Sequence, residues 1–594
     1  MPQLSFKKPT EIKFKVTAYN NCDDVQLFWR TLDLSQKDSP IENCIGFAVQ
    51  RQRLKEGKWS RPEILRNRVG YTDGPVVTNN ITEISKPSNV WAFQRYDWTD
   101  HGANYGETVR YKVLAVKQDP TKVLGVDELT VLLESEWTKA IAVDEKAGDG
   151  LSVYFNRGTV MSQYVARIAR EKNWTHQQLK QNIKEVKEPL RIFLAGELRL
   201  AMLRLLDEVI ANPFLNVNCA LYELSDSELI DKLKLIGKRA HVILSDGSNS
   251  HVLPDGSTEY IDGNKLSRAT LNKAKVNVYD RILASKGLGH NKILIVVDNR
   301  TDRARTVWTG STNWSSSGLC TQLNNGIQID HPEAVNHYYE YWKVVKAAGS
   351  NFTPELVAYN GAGAKVADNI NIWFTRAAKP VPVNTMPIDL ATIKQLVDKA
   401  QQTILYVMFQ PGPEPLSSIL QKRANPAIYI RGVVSTVIPG NKEKFTLMDE
   451  SLDQPYTTDL IQPDGIKDDF GWWIKEITRK QFIPQIGYAI THTKMIVIDP
   501  FSENPTVITG SHNFSRSASQ ENDENFVIIN GNKKLAEHYA VTCLAMYAHY
   551  RWRAYVYSKA QSGQSVWSHL KQTADWQISY LSSKRLITHL NEWC

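Results

Sequence analysis

The sequence predicts an α/β chain: an all-β sandwich followed by two pseudo-symmetric α-β-α lobes. Three observations carry this reading. Up to about residue 145 the apolar residues fall in short alternating runs. Beyond about residue 150 strand-like and helix-like segments alternate, and the same order is used twice. Each half also carries one short polar pattern, the two copies some 200 residues apart. With 594 residues, 42% of them hydrophobic, the chain can fill the cores of more than one domain.

The first module spans residues 1–145. Glu11–Tyr19, Val25–Trp29, Ile45–Arg51 and Thr108–Val116 are strand-like runs at sandwich spacing. Thr108–Val116 alternates, with Tyr111 at its centre, and resembles the tyrosine-bearing strand of fibronectin type III-like modules. The aromatic stretch Trp91–Trp98 reads as inter-sheet core or domain interface, with a carbohydrate or lipid contact as the alternative. The polar stretch Asp144–Gly150 reads as a linker. No catalytic constellation lies in this module.

The first lobe is expected over 150–350. Arg191–Ile210 is helical by period, Asn218–Glu223 strand-like, Ser227–Ile236 helical and Ala240–Leu244 a strand. The second lobe, over 351–560, repeats the plan: helix Leu390–Ala400, strand Thr403–Phe409, helix Leu416–Arg423, strand Ala427–Val434. Helices near Glu333–Ala347 and Lys534–Tyr557 close the lobes. Such alternation argues stacked α/β layers. Residues 561–594, with Trp567, Trp576 and Trp593, read as a packing extension.

The repeated pattern carries the chemistry. One copy reads His290-Asn291-Lys292, Asp298, then Gly310-Ser311-Thr312-Asn313; the other reads His492-Thr493-Lys494, Asp499, then Gly510-Ser511-His512-Asn513. The histidines lie 202 positions apart and the Gly-Ser pairs 200 apart. Each His and Lys leads into a β-branched run, and residues i and i+2 of a strand share a face. Each pair therefore points one way from the mouth of a buried strand. Thr306–Thr309 and Thr506–Thr509 read as partner strands ending at Gly-Ser, where backbone can approach a ligand. A lone histidine at a strand end is ordinarily a satisfied polar residue. Two, each with matched Lys, Asp, Gly, Ser and Asn, instead describe a symmetric cage for a phosphate.

This doubled pattern strongly resembles the phospholipase D superfamily, marked by HxK, four residues, Asp, then GSxN, twice per site. The second copy fits throughout. In the first, five residues separate Lys292 from Asp298, which reverses the strand parity of that Asp; either a bulge absorbs the extra residue or Asp298 is not the counterpart. The resemblance extends to Trp314–Leu319 against Phe514–Ala518, and to Asn325-Gly326-Ile327 against Glu524-Asn525-Phe526 in a shifted register. Glu524 matches an acidic residue that orients a catalytic histidine in the family; Asn325 does not, so the two histidines are expected to have unequal surroundings.

The resemblance implies a catalytic set of His290, Lys292, His492 and Lys494. One imidazole attacks phosphorus to form a phosphohistidine and the other protonates the leaving oxygen, then activates water or an alcohol. By family analogy His290 is the nucleophile and His492 the acid. Lys292 and Lys494 supply fixed charge, and Ser311, Asn313, Ser511 and Asn513 donate hydrogen bonds, each such donor worth about 3–4 kcal/mol in well-studied sites. Asp298, Asp499 and Glu524 support them. No cofactor is implied and no metal: the two lysines take its place, and no His/Cys/Asp/Glu cluster has ligand spacing.

The first expectation is hydrolysis of phospholipid headgroup esters to phosphatidic acid and an alcohol, with transfer to another alcohol open to the same intermediate. A metal-independent nuclease is the alternative, and a catalytically inactive phosphate-binding module a third. A cardiolipin synthase is disfavoured by the lack of a membrane anchor. Net charge of +8 favours anionic matter, phospholipid or nucleic acid, without choosing between them. Peripheral membrane contact is open, but no run approaches the ~20 apolar residues of a span. Six scattered cysteines read as buried thiols of a reducing compartment, a Cys22–Cys44 bridge staying open. A cytoplasmic protein is expected, or one exported without a signal, acting as a monomer with an internal pseudo-dimer. Trp472-Trp473, before the second motif, suit a lid. Tyr550-Arg551-Trp552-Arg553 read as a lobe-closing helix face, with a phosphate grip as the alternative.

Overall fold

The structure, a computed structural model, describes residues 4–71, 85–157, 181–247, 258–283, 287–377, 384–422, 427–434, 491–561 and 569–594, with a few shorter stretches between them. Trp472, Trp473 and Trp567 lie outside the described residues. The chain divides into two compact units. One holds the described residues up to Asp144 and from Ser558 onward; the other holds those from Glu145 to Tyr557.

The first unit is all-β at its N-terminal end. Strands Lys13–Asn20, Val25–Leu32 and Asp97–Asp100 form one sheet, and Thr130–Glu134, Thr108–Lys117 and Gly46–Lys55 are the body of another. The alternation of the Thr108–Lys117 strand is real, since Val109, Tyr111 and Val113 are buried while Thr108, Arg110 and Lys112 are only half so. Tyr111 donates its hydroxyl to Asp100 Oδ2 (2.9 Å). Phe93 and Tyr96 are core residues: the Tyr96 ring lies 5.1 Å from Phe47 and 5.6 Å from Trp576. The C-terminal residues complete this core. Trp593 stacks on Phe28 (5.1 Å), and the Gln577 amide joins the loop at Ile41 and Cys44. All six cysteines are free, so no Cys22–Cys44 bridge exists.

The second unit contains two sheets of identical plan. In the first lobe the strand order is Lys146–Gly148, Leu151–Phe155, Asn325–Ile329, Arg303–Gly310, Lys292–Asp298, Leu215–Leu221, Ala240–Leu244, Asn277–Asp280. In the second it is Ala364–Lys365, Ile370–Phe374, Asn525–Asn530, Thr506–Gly510, Met495–Ile498, Thr403–Met408, Tyr429–Val434, Thr458–Ile461. Each sheet is antiparallel up to the strand that precedes its first parallel partner, and the last two pairings are parallel. The motif strands sit in the middle of their sheets. Ile293–Val297 and Met495–Ile498 are buried throughout, which is why they read as unbroken apolar runs instead of alternating ones.

Two local expectations change. The polar Asp144–Gly150 stretch is no free linker, because Lys146–Gly148 pairs with Leu151–Phe155 as an edge strand. The helix Pro189–Ala211 is broken at Gly196 (φ 52°, ψ −149°), a conformation glycine tolerates. Helices Pro332–Ala348 and Lys533–Gln561 stand where the lobe-closing helices were expected, and Tyr550–Arg553 belongs to the latter.

The lobes join along their motif edges. His290 N donates to Asp523 O (2.9 Å) and Asp523 N to Leu288 O (2.9 Å). Around the pseudo-dyad, His492 N and Thr493 N both donate to Leu323 O (2.9 and 2.8 Å). Thr309 Oγ1 bonds Asn525 Oδ1 (2.7 Å) and Asn325 Nδ2 donates to Thr509 Oγ1 (3.0 Å). Each lobe thus holds the other's motif.

Candidate active site

His290, Lys292, His492 and Lys494 are all buried at this junction. The i, i+2 spacing does what strand geometry requires. Each lysine lies beside its own histidine and donates Nζ to that histidine's carbonyl, at 2.8 Å for Lys292 and 2.5 Å for Lys494. An aromatic ring from the neighbouring strand's end backs each pair. Tyr222 lies 4.8 Å from the His290 ring and 5.2 Å from Lys292 Nζ; Phe409 lies 4.9 Å from the His492 ring and 4.8 Å from Lys494 Nζ.

The imidazoles find unlike partners, both from the opposite lobe. His290 Nδ1 lies 3.0 Å from Glu524 Oε2. A carboxylate only accepts, so His290 carries its proton on Nδ1 and presents Nε2 as the unprotonated nitrogen. Glu524 is itself held by Asn522 Nδ2 (2.9 Å). His492 Nδ1 lies 2.9 Å from Asn324 Oδ1. That amide's orientation is fixed, because its oxygen also accepts from Ser311 Oγ (2.8 Å) and its nitrogen donates to Gly318 O (2.8 Å). The backbone of Ser311 also hydrogen-bonds this imidazole. The two-histidine asymmetry read from the sequence exists, but its terms change. Glu524 serves the first lobe's histidine, and its counterpart is Asn324, not Asn325. The register is unshifted, since Ser311 N bonds Asn325 O (3.0 Å) as Ser511 N bonds Asn525 O (2.9 Å).

The Gly-Ser turns have a steric reason. A Cβ on Gly310 would lie 2.5 Å from Asn325 O, and one on Gly510 2.2 Å from Asn525 O. The serines are less available than expected: Ser311 Oγ and Ser511 Oγ each accept from a strand amide, Asn325 N and Asn525 N, both at 3.0 Å. They fasten the junction instead of facing a ligand. The asparagines differ. Asn313 Oδ1 and Asn513 Oδ1 are buried and without a hydrogen-bond partner among the described residues; as oxygens they only accept, so they await a donor such as water.

Burial dominates the electrostatics. It pushes the His290 imidazole down to about 4, the Glu524 carboxylate opposing and Lys292 assisting. It holds His492 well below the usual imidazole range, with the two lysines and His290 adding to the effect. Lys292 falls to about 7 although Glu524 and Glu223 pull it upward. Lys494 lies well below the ordinary lysine range through burial and the neighbouring Lys292 charge. Crowded cations kept from water are a site prepared for an anion.

The Asp positions separate. Asp499, with φ of 48°, accepts three amides, from Gln401 (2.9 Å), Gln402 (2.8 Å) and Thr403 (2.8 Å), and ties its strand end to the next strand. Asp298 instead pairs with Arg300 (2.8 Å). The residue tying down the first lobe's strand end is Asn299, whose amide bonds Phe214 O (2.9 Å) and whose side chain bonds Pro213 O and Asn216 Oδ1, both at 3.1 Å. Asn299 lies an odd number of residues beyond Lys292, as Asp499 does beyond Lys494, which restores the parity that Asp298 breaks. Lys292–Asp298 pairs with Leu215–Leu221 in unbroken register, and its register shift against Arg303–Gly310, between Val296 and Val297, skips Arg305 on the partner strand, so no extra residue is absorbed in the motif strand itself.

Sequence reasoning missed Asn324, Tyr222, Phe409, Glu223 and the Arg281–Asp523 pair. Arg281 is buried and grips Asp523 through Nε (2.5 Å) and Nη2 (3.0 Å), beside Glu524. Among the described residues no group of three or more His, Cys, Asp or Glu could hold a metal ion. No described helix is long and apolar enough to cross a membrane.

Two α/β lobes presenting paired His-Lys sets to one junction define a phosphodiesterase-type protein. A family model described as "Cardiolipin synthase, PLD-like domain" matches residues 207–344 and 393–546, one segment in each lobe, and the chain belongs to the phospholipase D superfamily. No curated protein matches the sequence. Among solved structures, phosphatidylserine synthase of Haemophilus influenzae is similar at 11% identity over 59% of this chain and 84% of its own, with a TM-score of 0.37. Polyphosphate kinase of Porphyromonas gingivalis gives 10%, 55%, 45% and 0.34, so the chain spans less than half of that protein. Yeast tyrosyl-DNA phosphodiesterase gives 10%, 55%, 86% and 0.32.

Proposed function

We propose that this protein is a phospholipase D: it hydrolyses the headgroup ester of a phospholipid to phosphatidic acid and an alcohol through a phosphohistidine on His290. The observation that carries the reading is the unequal pairing of the two imidazoles, carboxylate on one and amide on the other. His290 Nε2 attacks phosphorus, the bond to the headgroup oxygen breaks, and His492 gives that oxygen its proton. The phosphorylated imidazole is cationic, and the Glu524 carboxylate stabilises that charge. Water then attacks phosphorus, His492 takes its proton, and the P–N bond breaks to restore His290. His492 must gain and lose a proton each cycle, which a neutral amide partner permits more readily than a carboxylate would. Lys292, Lys494, Asn313 and Asn513 surround the phosphate, and every step is made by side chains of one chain, so a monomer suffices. The protein meets the bilayer peripherally. The family model's description, which names a lipid enzyme, supports a lipid substrate.

The test sets phosphatidylcholine and phosphatidylethanolamine vesicles beside supercoiled plasmid, both in EDTA. Release of choline or ethanolamine is expected. Nicking of the plasmid without headgroup release would transfer the assignment to a nuclease, and neither activity would leave a phosphate-binding module.

A further inference from the structure

The cage holds a carboxylate that the reaction above does not use. Glu223 follows Tyr222, the residue whose ring backs His290. It is half-buried; its Oε2 lies 3.5 Å from Ser315 Oγ, and it also bonds the Asn313 side chain. Both Lys292 and Lys494 act on it electrostatically.

The pseudo-dyad makes this group conspicuous. Ala220 pairs with Ile293 as Val407 pairs with Met495. Ser225 N bonds Trp314 O as Gly412 N bonds Phe514 O, both at 2.9 Å. These matches set Glu223 opposite Gln410. One half therefore carries a negative charge where the other carries its neutral isostere, at the edge of a site built for an anion.

Resting on the phosphodiesterase reading of this same site, we infer that Glu223 is a specificity-determining residue that selects a monoanionic phosphodiester over a dianionic phosphate. Below about pH 7, where Lys292 is a cation, the two lysines contribute up to two positive charges, although burial disfavours both. Glu524, engaged with His290, and Glu223, whose carboxyl burial pushes upward against the pull of the lysines, contribute two negative ones when ionised. A diester brings one negative charge into this balance and a monoester brings two, and a like charge held close in a poorly solvated site discriminates strongly. Hydrolysis of a diester yields a monoester whose second proton leaves near pH 6, as for other phosphomonoesters. Glu223 thus also drives the product out once it becomes a dianion.

Calorimetry on the full chain tests this without turnover, using sulfate as the dianion and dimethyl phosphate as the monoanionic diester. Glu223→Gln installs the side chain that the fold already accepts at position 410. It should tighten sulfate by about tenfold and dimethyl phosphate far less, moving the ratio of the two affinities by about fivefold or more toward sulfate. Gln410→Glu should move that ratio the other way. A ratio unchanged by both variants, or moved in the opposite sense, overturns the inference. If the ratio moves as stated while wild-type protein cleaves neither vesicles nor plasmid, the anion selection stands and the reaction assigned above falls.

Discussion

Glu524 and His290 belong to different lobes, yet Oε2 of one lies 3.0 Å from Nδ1 of the other. The reciprocal contact, His492 to Asn324, is as short at 2.9 Å but joins an imidazole to an amide. The pseudo-dyad therefore preserves geometry and breaks charge. A carboxylate stabilises an imidazole that must stay cationic while it carries phosphoryl, whereas an amide leaves proton affinity low enough for release. The nucleophile and the acid are distinguished by their second partners.

His290→Ala and His492→Ala should each abolish turnover. Glu524→Gln, which makes the two histidines' partners alike, should lower it by about 10²–10³-fold while leaving the fold intact. Acid-quenched protein incubated with labelled substrate should carry the label on His290. Label on His492 would reverse the roles, and turnover surviving either alanine would end the two-histidine mechanism.

Anion affinity should fall as pH rises through about 7. The sign follows from Lys292, which burial lowers to about 7: it is a cation below that pH and neutral above it. Lys494, lowered in the same sense, adds to the loss. Sulfate is a dianion throughout, so its own ionisation does not interfere. Its affinity should drop by about tenfold or more between pH 6 and 8.5. A flat profile would mean that both lysines keep their charge.

Much of this site was legible because strand parity is a strict rule. The placement of His and Lys on one face follows from two-residue spacing alone, and the same rule flagged Asp298 as suspect; the structure puts Asn299 in that role. What escaped was contact between lobes. Glu524 sits near His512 and His492 in sequence, and nothing in the spacing of residues says that its ring partner lies 234 positions away. Asn324 was missed by one residue for the same reason, since only the pairing of Ser311 with Asn325 fixes the register. Lys146–Gly148 looked like a linker because a short, polar edge strand carries no apolar alternation.

His538→Leu should stabilise the protein, most at low pH. This histidine is fully buried on the Lys533–Gln561 helix, with neither ring nitrogen hydrogen-bonded among the described residues. Burial lowers it to about 3 from its ordinary 6.5. The unfolded chain therefore binds this proton first. The stability linked to it is complete above 6.5 and is lost as pH falls from there toward 3. Leucine removes both the unpaired polar group and the linkage. Chemical unfolding should give a gain of about 1–3 kcal/mol at pH 5 and less at pH 7.5. A loss at both would mean that the ring nitrogens are solvated.

The Arg281–Asp523 pair should behave as a buried ion pair does. Arg281→Met leaves the Asp523 carboxylate buried beside Glu524 and should cost about 3–5 kcal/mol, whereas Arg281→Met with Asp523→Leu should recover most of it. Asp523 also exchanges backbone bonds with Leu288 and His290, so activity should recover less than stability in the double variant. Equal recovery of both would make the pair purely structural.

The two Asp positions of the repeated motif should separate in the same denaturation experiment. Asp499 accepts three amides from Gln401–Thr403 and holds a left-handed backbone (φ 48°), a conformation Asp and Asn tolerate better than alanine. Asp499→Ala loses the three acceptor contacts and strains the turn together, and should cost about 2–3 kcal/mol. Asp499→Asn keeps the backbone tolerance and one acceptor oxygen, and should lose about half as much. Asp298→Ala removes only the pairing with Arg300 and should leave the unfolding midpoint where it was. Asn299→Ala, in contrast, frees Pro213 O and Asn216 from their partner and should destabilise the first lobe measurably. A larger effect at Asp298 than at Asn299 would restore Asp298 as the counterpart of Asp499 and undo the parity argument.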